Sequence, residues 1–241
     1  MIKKIISIIC LMPSFVFAGE QTTETRNGFY LKGNIGISKM KSAKQVNKYQ
    51  KKGKIVMDIP NNESKSKMSL PISIAAGFYL NDYIRHDLSF GYQRVNFKTS
   101  DQKIQWFDNR GNIIDQNGNW GVTRKATIYS LMFNSYVDVP INDQFQVFAG
   151  AGLGIARINE KGHLSLTQLN NTKTSDTVKS KKKQNFAYSL TTGISYKLSD
   201  NTNLELSYKW SDYGKTKFKN KHVTKNRYRG HSILTGIRYS M

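Results

Sequence analysis

Eight stretches of this chain alternate apolar and polar side chains with a period of two, so each must lie between two different environments. The cleanest runs from Leu70 to Leu80. Leu70, Ile72, Ile74, Ala76, Phe78 and Leu80 share one face, and Ser73, Ala75, Gly77 and Tyr79 share the other. The same pattern fills 29–38, 84–97, 127–139, 145–158, 186–198, 204–213 and 232–241, with Leu234 as the one misfit on the polar side of the last stretch. On the fifth stretch Gly150, Gly152 and Gly154 take up the polar side, where a narrow interior would crowd anything larger.

Soluble sandwiches alternate too, so the connections have to decide between the two kinds of fold. Short ones (Asn81-Asp82-Tyr83, Pro140 to Asp143, Ser199 to Asn203) alternate with long ones (Lys39 to Ser69, Lys98 to Ala126, Asn159 to Asn185, Gly214 to Arg227). Short turns at one end and long loops at the other are the outer-membrane arrangement, and stretches of about ten residues suit tilted membrane strands. The expected fold is all-β: an eight-stranded antiparallel transmembrane up-and-down β-barrel with long extracellular loops and short periplasmic turns. Closure is demanded because a strand edge in lipid would leave N–H and C=O groups unpaired.

The first residues support export. Lys3 and Lys4 precede an apolar run from Ile5 to Val16, and Val16-Phe17-Ala18 precedes Gly19, the order of a secretory signal peptide cleaved after Ala18. The run is too short for a membrane-spanning helix. The expected organisation is a signal peptide over 1–18, a short periplasmic tail over 19–28 and the barrel over 29–241. The single cysteine, Cys10, falls in the segment to be removed, which leaves no disulfide framework and no thiol chemistry. His86, His163, His222 and His231 are scattered without metal-site spacing, so neither a metal nor any other cofactor is expected.

Arg85, Asp87, Asp138, Glu205, Lys209 and Arg238 lie on polar faces, where a narrow barrel would pair them as a charged plug. Aromatic residues near the ends of the faces (Phe29 and Tyr30, Phe78 and Tyr79, Phe145, Tyr196, Tyr208 and Trp210) are expected to form interfacial girdles.

The formal net charge is +21. Strands, turns and tail balance, so the mature excess falls on the long loops. The last carries Lys215, Lys217, Lys219, Lys221, Lys225 and Arg227 without one acid; the first carries Lys48, Lys51, Lys52 and Lys54 among others; the third carries Lys179, Lys181, Lys182 and Lys183. One sign of charge gathered at one end of a barrel attracts polyanions and acidic partners. The candidate partner-binding residues are Lys48, Lys51, Lys52, Lys54, Lys179, Lys181, Lys182, Lys215, Lys217, Lys219, Lys221, Lys225 and Arg227. Lysines close to strand ends, such as Lys39, Lys98 and Lys183, have a simpler use in bridging lipid phosphates. Nucleic acid is a poor partner for an exported barrel without a base-reading module.

Gly150-Ala151-Gly152-Leu153-Gly154, Asn134-Ser135-Tyr136-Val137-Asp138 and the ending Gly230 to Tyr239 resemble the opacity-type outer-membrane surface antigens. Leu204 to Lys217 is similar to the rickettsial putative-adhesin branch of that family. The resemblance implies a barrel displayed on a bacterial surface, with adhesion to host cells as its role, and carries over no catalytic residue. The leading expectation is a monomeric surface adhesin or antigen in the cell outer membrane, whose basic loops bind acidic host surface proteins or glycosaminoglycans. The alternative is a structural barrel contacting outer-membrane lipid phosphates without a receptor. An enzyme is not expected, because His86 and Asp87, adjacent on a strand, point to opposite sides. An open pore is not expected either, since eight strands enclose too little space.

Overall fold

The structure is a computed structural model, and it describes residues 28–43, 49–51, 54–57, 64–107, 113–167, 173–179, 183–216 and 226–241. The expected signal peptide and most of the expected tail lie outside the described residues. In chain order the strands are β1 (Phe29–Ala43), β2 (Tyr49–Lys51), β3 (Lys54–Met57), β4 (Ser64–Lys65), β5 (Pro71–Tyr79), β6 (Ile84–Phe107), β7 (Ile113–Pro140), β8 (Phe145–Thr167), β9 (Lys173–Lys179), β10 (Lys183–Lys197), β11 (Thr202–Thr216) and β12 (Asn226–Ser240). Eight of them, β1, β5, β6, β7, β8, β10, β11 and β12, close into an antiparallel cylinder; β2, β3, β4 and β9 pair beside its outer end.

Closure follows from the register. Lys39 faces His231, His231 faces Trp210, Trp210 faces Leu190, Leu190 faces Ala151, Ala151 faces Ser135, Ser135 faces His86, His86 faces Phe78, and Phe78 faces Phe29. One circuit therefore returns to β1 ten positions below its start, at Phe29 instead of Lys39. Strand number and shear together fix the tilt, so a horizontal line climbs about one and a quarter residues against the register at each strand.

Two of the short turns are built alike. The Asn81 side-chain oxygen accepts from the backbone N–H groups of Tyr83 and Ile84 at 2.9 and 2.7 Å, and Asn142 does the same for Gln144 and Phe145 at 3.0 and 2.8 Å. Such local side-chain acceptors favour turns over continued strand. In the third turn Lys197 lies 2.9 Å from Asp200, and its hydrogen bond holds that exposed carboxyl below the usual carboxylate range.

The barrel runs well past the stretches of clear alternation. β6 continues to Phe107 and β7 begins at Ile113, so Lys98 to Ala126, expected as a loop, is mainly the top of a strand pair. Likewise β8 reaches Thr167 and β9 pairs with it, inside the expected loop Asn159 to Asn185.

The reason these extensions escape a search for lipid-facing strands lies in the phase of the alternation. On β6, Leu88, Phe90 and Tyr92 face outward and Asp87, Ser89 and Gln93 inward; two residues later Arg94 and Asn96 are outside and Val95 and Phe97 are buried inside. The same reversal puts Met40 inside between exposed Lys39 and Lys41, Ile128 and Ala126 inside beside exposed Lys125, Ile158 and Ala156 inside around exposed Arg157, and Tyr228 inside beside exposed Arg229. Counting along the tilted lattice from Lys39, the same height falls near Arg229, Arg157, Tyr129 and Arg94. Five strands thus reverse at one level. Below it the outside is hydrocarbon and the inside polar; above it water lies outside and the interior must be the apolar phase, as in a soluble barrel.

The lumen accordingly holds two plugs. The lower is ionic: Arg85 lies 2.8 Å from Asp138 and 3.3 Å from Glu205, Arg238 lies 3.0 Å from Glu205 and 3.5 Å from Asp138, and Lys32 pairs with Glu205. Arg85 also stacks over Tyr136 at 4.3 Å and Phe148 at 5.0 Å. The expected charged plug is present, with Lys32 as a member that was not singled out. Asp87 instead accepts from Asn134 at 2.5 Å and Tyr30 at 3.3 Å. The upper plug is apolar, built on Met40, Val95, Phe97, Ile128, Met132, Ile158 and Tyr228, and capped by the buried pair Arg124 and Glu160 at 3.1 Å. Leu234 is no misfit; it is buried on the lumen side. Tyr30 and Tyr79 do not join a girdle, since both are buried inside with ring centres 5.1 Å apart beside Arg238. The glycines of β8 do clear space: a Cβ on Gly152 would meet the Asn134 side chain and the Ser189 hydroxyl.

Candidate interaction surface

The register sets several cations directly opposite one another. Lys125 on β7 faces Lys161 on β8, which faces Lys179 on β9. Lys51 faces Lys54, Lys215 faces Arg227, and Lys41 faces both Lys65 and Arg229. Directly opposed residues share a face with Cβ atoms about 5 Å apart, and like charges so placed oppose folding. Lys125 and Lys161 are exposed on the outer wall.

Of the thirteen residues singled out in the sequence, Lys51, Lys54, Lys179, Lys215 and Arg227 lie on β2, β3, β9, β11 and β12. Lys48, Lys52, Lys181, Lys182, Lys217, Lys219, Lys221 and Lys225 lie outside the described residues. The structure pairs Lys51 with Lys54 and Lys215 with Arg227, and brings Lys179 to Lys161. Lys125, Lys161, Lys41 and Arg229, which the register sets opposite other cations, are not among the thirteen. Only pairing across strands reveals them, because their neighbours are distant in sequence.

Arg227 has a second engagement. The buried Asp212 carboxylate lies 2.6 Å from the Arg227 guanidinium and 2.9 Å from that of Arg229, and accepts from Tyr188 at 3.2 Å and from the Gly214 N–H at 2.9 Å. Gly214 has φ of 81°, a left-handed conformation that admits the bulge between Asp212 and Lys215. This knot is the structural content of Trp210-Ser211-Asp212-Tyr213-Gly214-Lys215, within the stretch similar to the rickettsial branch.

The histidines closest to acids or hydroxyls have other settings. His86 packs between Phe78 and Phe133 at 5.4 and 5.6 Å on the outer wall, away from Asp87 in the lumen. His231 bonds the Tyr208 hydroxyl through Nδ1 at 2.5 Å. Among the described residues no three groups of metal-ligating type converge. Lys209, expected in the charged plug, lines a small cavity between the two plugs with Ser73, Ser89, Gln93, Ser130 and Tyr213. Its volume of about 30 Å³ suits a single water.

Similarity to known proteins agrees with this architecture. A protein of Rickettsia conorii named as a putative adhesin is 32% identical over 227 residues, covering 91% of this chain and 85% of the relative. Another, from Rickettsia prowazekii and named in the same way, is 30% identical over 222 residues, covering 89% and 88%. The crystal structure of the outer membrane protease OmpT from Escherichia coli superimposes with a TM-score of 0.51 at 10% identity, over 92% of this chain and 99% of that one, a likeness of fold alone. Residues 8–240 match the family described as outer membrane protein beta-barrel domain. With a closed barrel, a reversed outer end and relatives of this kind, the chain belongs to the outer membrane protein β-barrel family and resides in the outer membrane.

Proposed function

We propose that this protein is a non-enzymatic surface adhesin whose opposed cation rows bind acidic host-cell partners, either glycosaminoglycan chains or acidic patches on host proteins. The carrying observation is the row Lys125, Lys161 and Lys179. The exposed ammonium groups of Lys125 and Lys161, set across adjacent strands, work against the fold in isolation, and an anion lying across them turns that repulsion into attraction. The names of the rickettsial relatives support the same role. Below the row, the two plugs leave this end of the barrel a rigid pedestal, which lowers the entropy lost on binding.

The test is binding of lipid-reconstituted protein to immobilised heparin across a salt series, with and without Lys125→Gln, Lys161→Gln and Lys179→Gln together. Three ionic contacts to the partner at a few tenths to 1 kcal/mol each predict about tenfold weaker binding at physiological salt and a shallower salt dependence. A parallel variant carrying Lys215→Gln, Lys217→Gln, Lys219→Gln and Lys221→Gln probes the last loop. Unchanged heparin and cell binding in both variants contradicts the reading.

A further inference from the structure

We infer that the outer wall at the level of phase reversal is a binding belt for phosphate-monoester headgroups of lipids in the outer leaflet. Its residues are distinct from the Lys125, Lys161 and Lys179 row, although Lys41, Arg227 and Arg229 also stand in opposed cation pairs. Lys39, Arg94 and Arg157 occupy the first outward positions beyond the apolar band on their strands, Lys41 and Arg229 stand one outward position above Lys39 and His231, and Arg227 lies beside them. On β1, Ile37 is the last apolar outward residue before Lys39; on β6, Tyr92 precedes Arg94; on β8, Ile155 precedes Arg157; on β12, Arg229 stands above His231 and Ile233. That is headgroup height, where an exposed cation meets lipid phosphate before it meets anything else.

Among the described residues the outward carboxylate at this height is Asp212, and it is already saturated by two guanidiniums, a phenol and a backbone N–H. Two arginines on one carboxylate leave a surplus positive charge, and they are aimed before any lipid arrives. Lys41 lies directly opposite Arg229, and Lys39 opposite His231, so the β1–β12 wall concentrates four cations around the knot. Arginine forks match the phosphate oxygens bidentately, and lysines add point charge. Just beneath, Tyr188 packs on Trp210 at 5.5 Å and Tyr208 on His231 at 5.9 Å, an aromatic surface suited to the glycerol and upper acyl region. The apolar band directly below selects a lipid-borne phosphate over a free one.

Native mass spectrometry of the detergent-solubilised mature protein, with equal amounts of phosphatidic acid and phosphatidylcholine of identical chains, reads this directly. The expected result is retention of phosphatidic acid at least fivefold above phosphatidylcholine, little affected by millimolar inorganic phosphate. Lys39→Gln, Lys41→Gln and Arg229→Gln together should abolish the preference while the unheated protein keeps its folded gel mobility. Should that variant fail to fold, Arg94→Gln with Arg157→Gln on the other wall should lower the preference at least twofold. Lys125→Gln, Lys161→Gln and Lys179→Gln, which weaken heparin binding under the adhesin reading, should leave it intact. Equal retention of the two lipids, a preference unchanged in the belt variants, or full competition by inorganic phosphate overturns the proposal.

Discussion

Glu205 sits at the centre of the lower plug, and replacing it by glutamine tests whether that plug holds the barrel together. Lys32, Arg85 and Arg238 all converge on its carboxylate, and the side chains of all four are at most 4% exposed. Glu205→Gln keeps the shape and removes the charge, leaving three buried cations against Asp138 and the more distant Asp87. Breaking a buried pair from one side costs roughly 3–5 kcal/mol, because the orphaned charge cannot return to water. With a urea slope of about 2 kcal/mol/M, the unfolding midpoint in lipid vesicles should fall by about 2 M. Tryptophan fluorescence and gel mobility should report the same shift. Restoring neutrality with Lys32→Met in the Glu205→Gln background should recover at least half the loss, since the two sites are in direct contact and couple. A Glu205→Gln barrel within about 0.5 kcal/mol of the parent, or a double variant weaker than the single one, would refute the reasoning.

Gly152→Val should destabilise the barrel by about 1–3 kcal/mol through overpacking against Asn134 and Ser189, whereas Gly33→Ala, where an added Cβ meets nothing within 4 Å, should unfold like the parent in the same urea series. Reconstituted in a planar bilayer, the protein should show no sustained large conductance, because the ionic and apolar plugs lie in series; a steady open channel would contradict that packing. The mature protein isolated from outer membranes should have an intact mass beginning at Gly19, and a mass that includes Lys3 and Lys4 would reject cleavage after Ala18.

The faces of the membrane strands were legible because lipid and lumen impose opposite demands on successive residues. Ile72 and Ile74 stand outside, Ala75 and Tyr79 inside, as the alternation requires. The upper third was not legible for the same reason inverted. Val95 and Phe97, at the end of the third stretch, already put apolar residues on the polar face of β6, so lipid-facing periodicity gives no sign that the strand continues from Lys98 to Phe107. The ionic plug was foreseeable from isolated charges on polar faces, while its partners were not, because Arg85, Glu205 and Arg238 come from strands far apart in sequence. The proposed binding surface was legible only as composition. The sequence shows cation-rich loops, whereas Lys125 and Lys161 became a row only through pairing between β7 and β8.

The account rests on the reversal of phase along each strand. Because the sole cysteine is Cys10, a chain expressed from Gly19 is cysteine-free, and single cysteines placed in it at Leu88, Phe90, Tyr92, Arg94 and Asn96 can carry spin labels along one outer face of β6. In lipid bilayers, collision with oxygen should dominate at the first three positions, and collision with a water-soluble nickel chelate should take over from Arg94 onward. A label at Leu88 or Phe90 reached freely by the nickel chelate, or oxygen dominance persisting through Asn96, would contradict the placement of this barrel in the membrane.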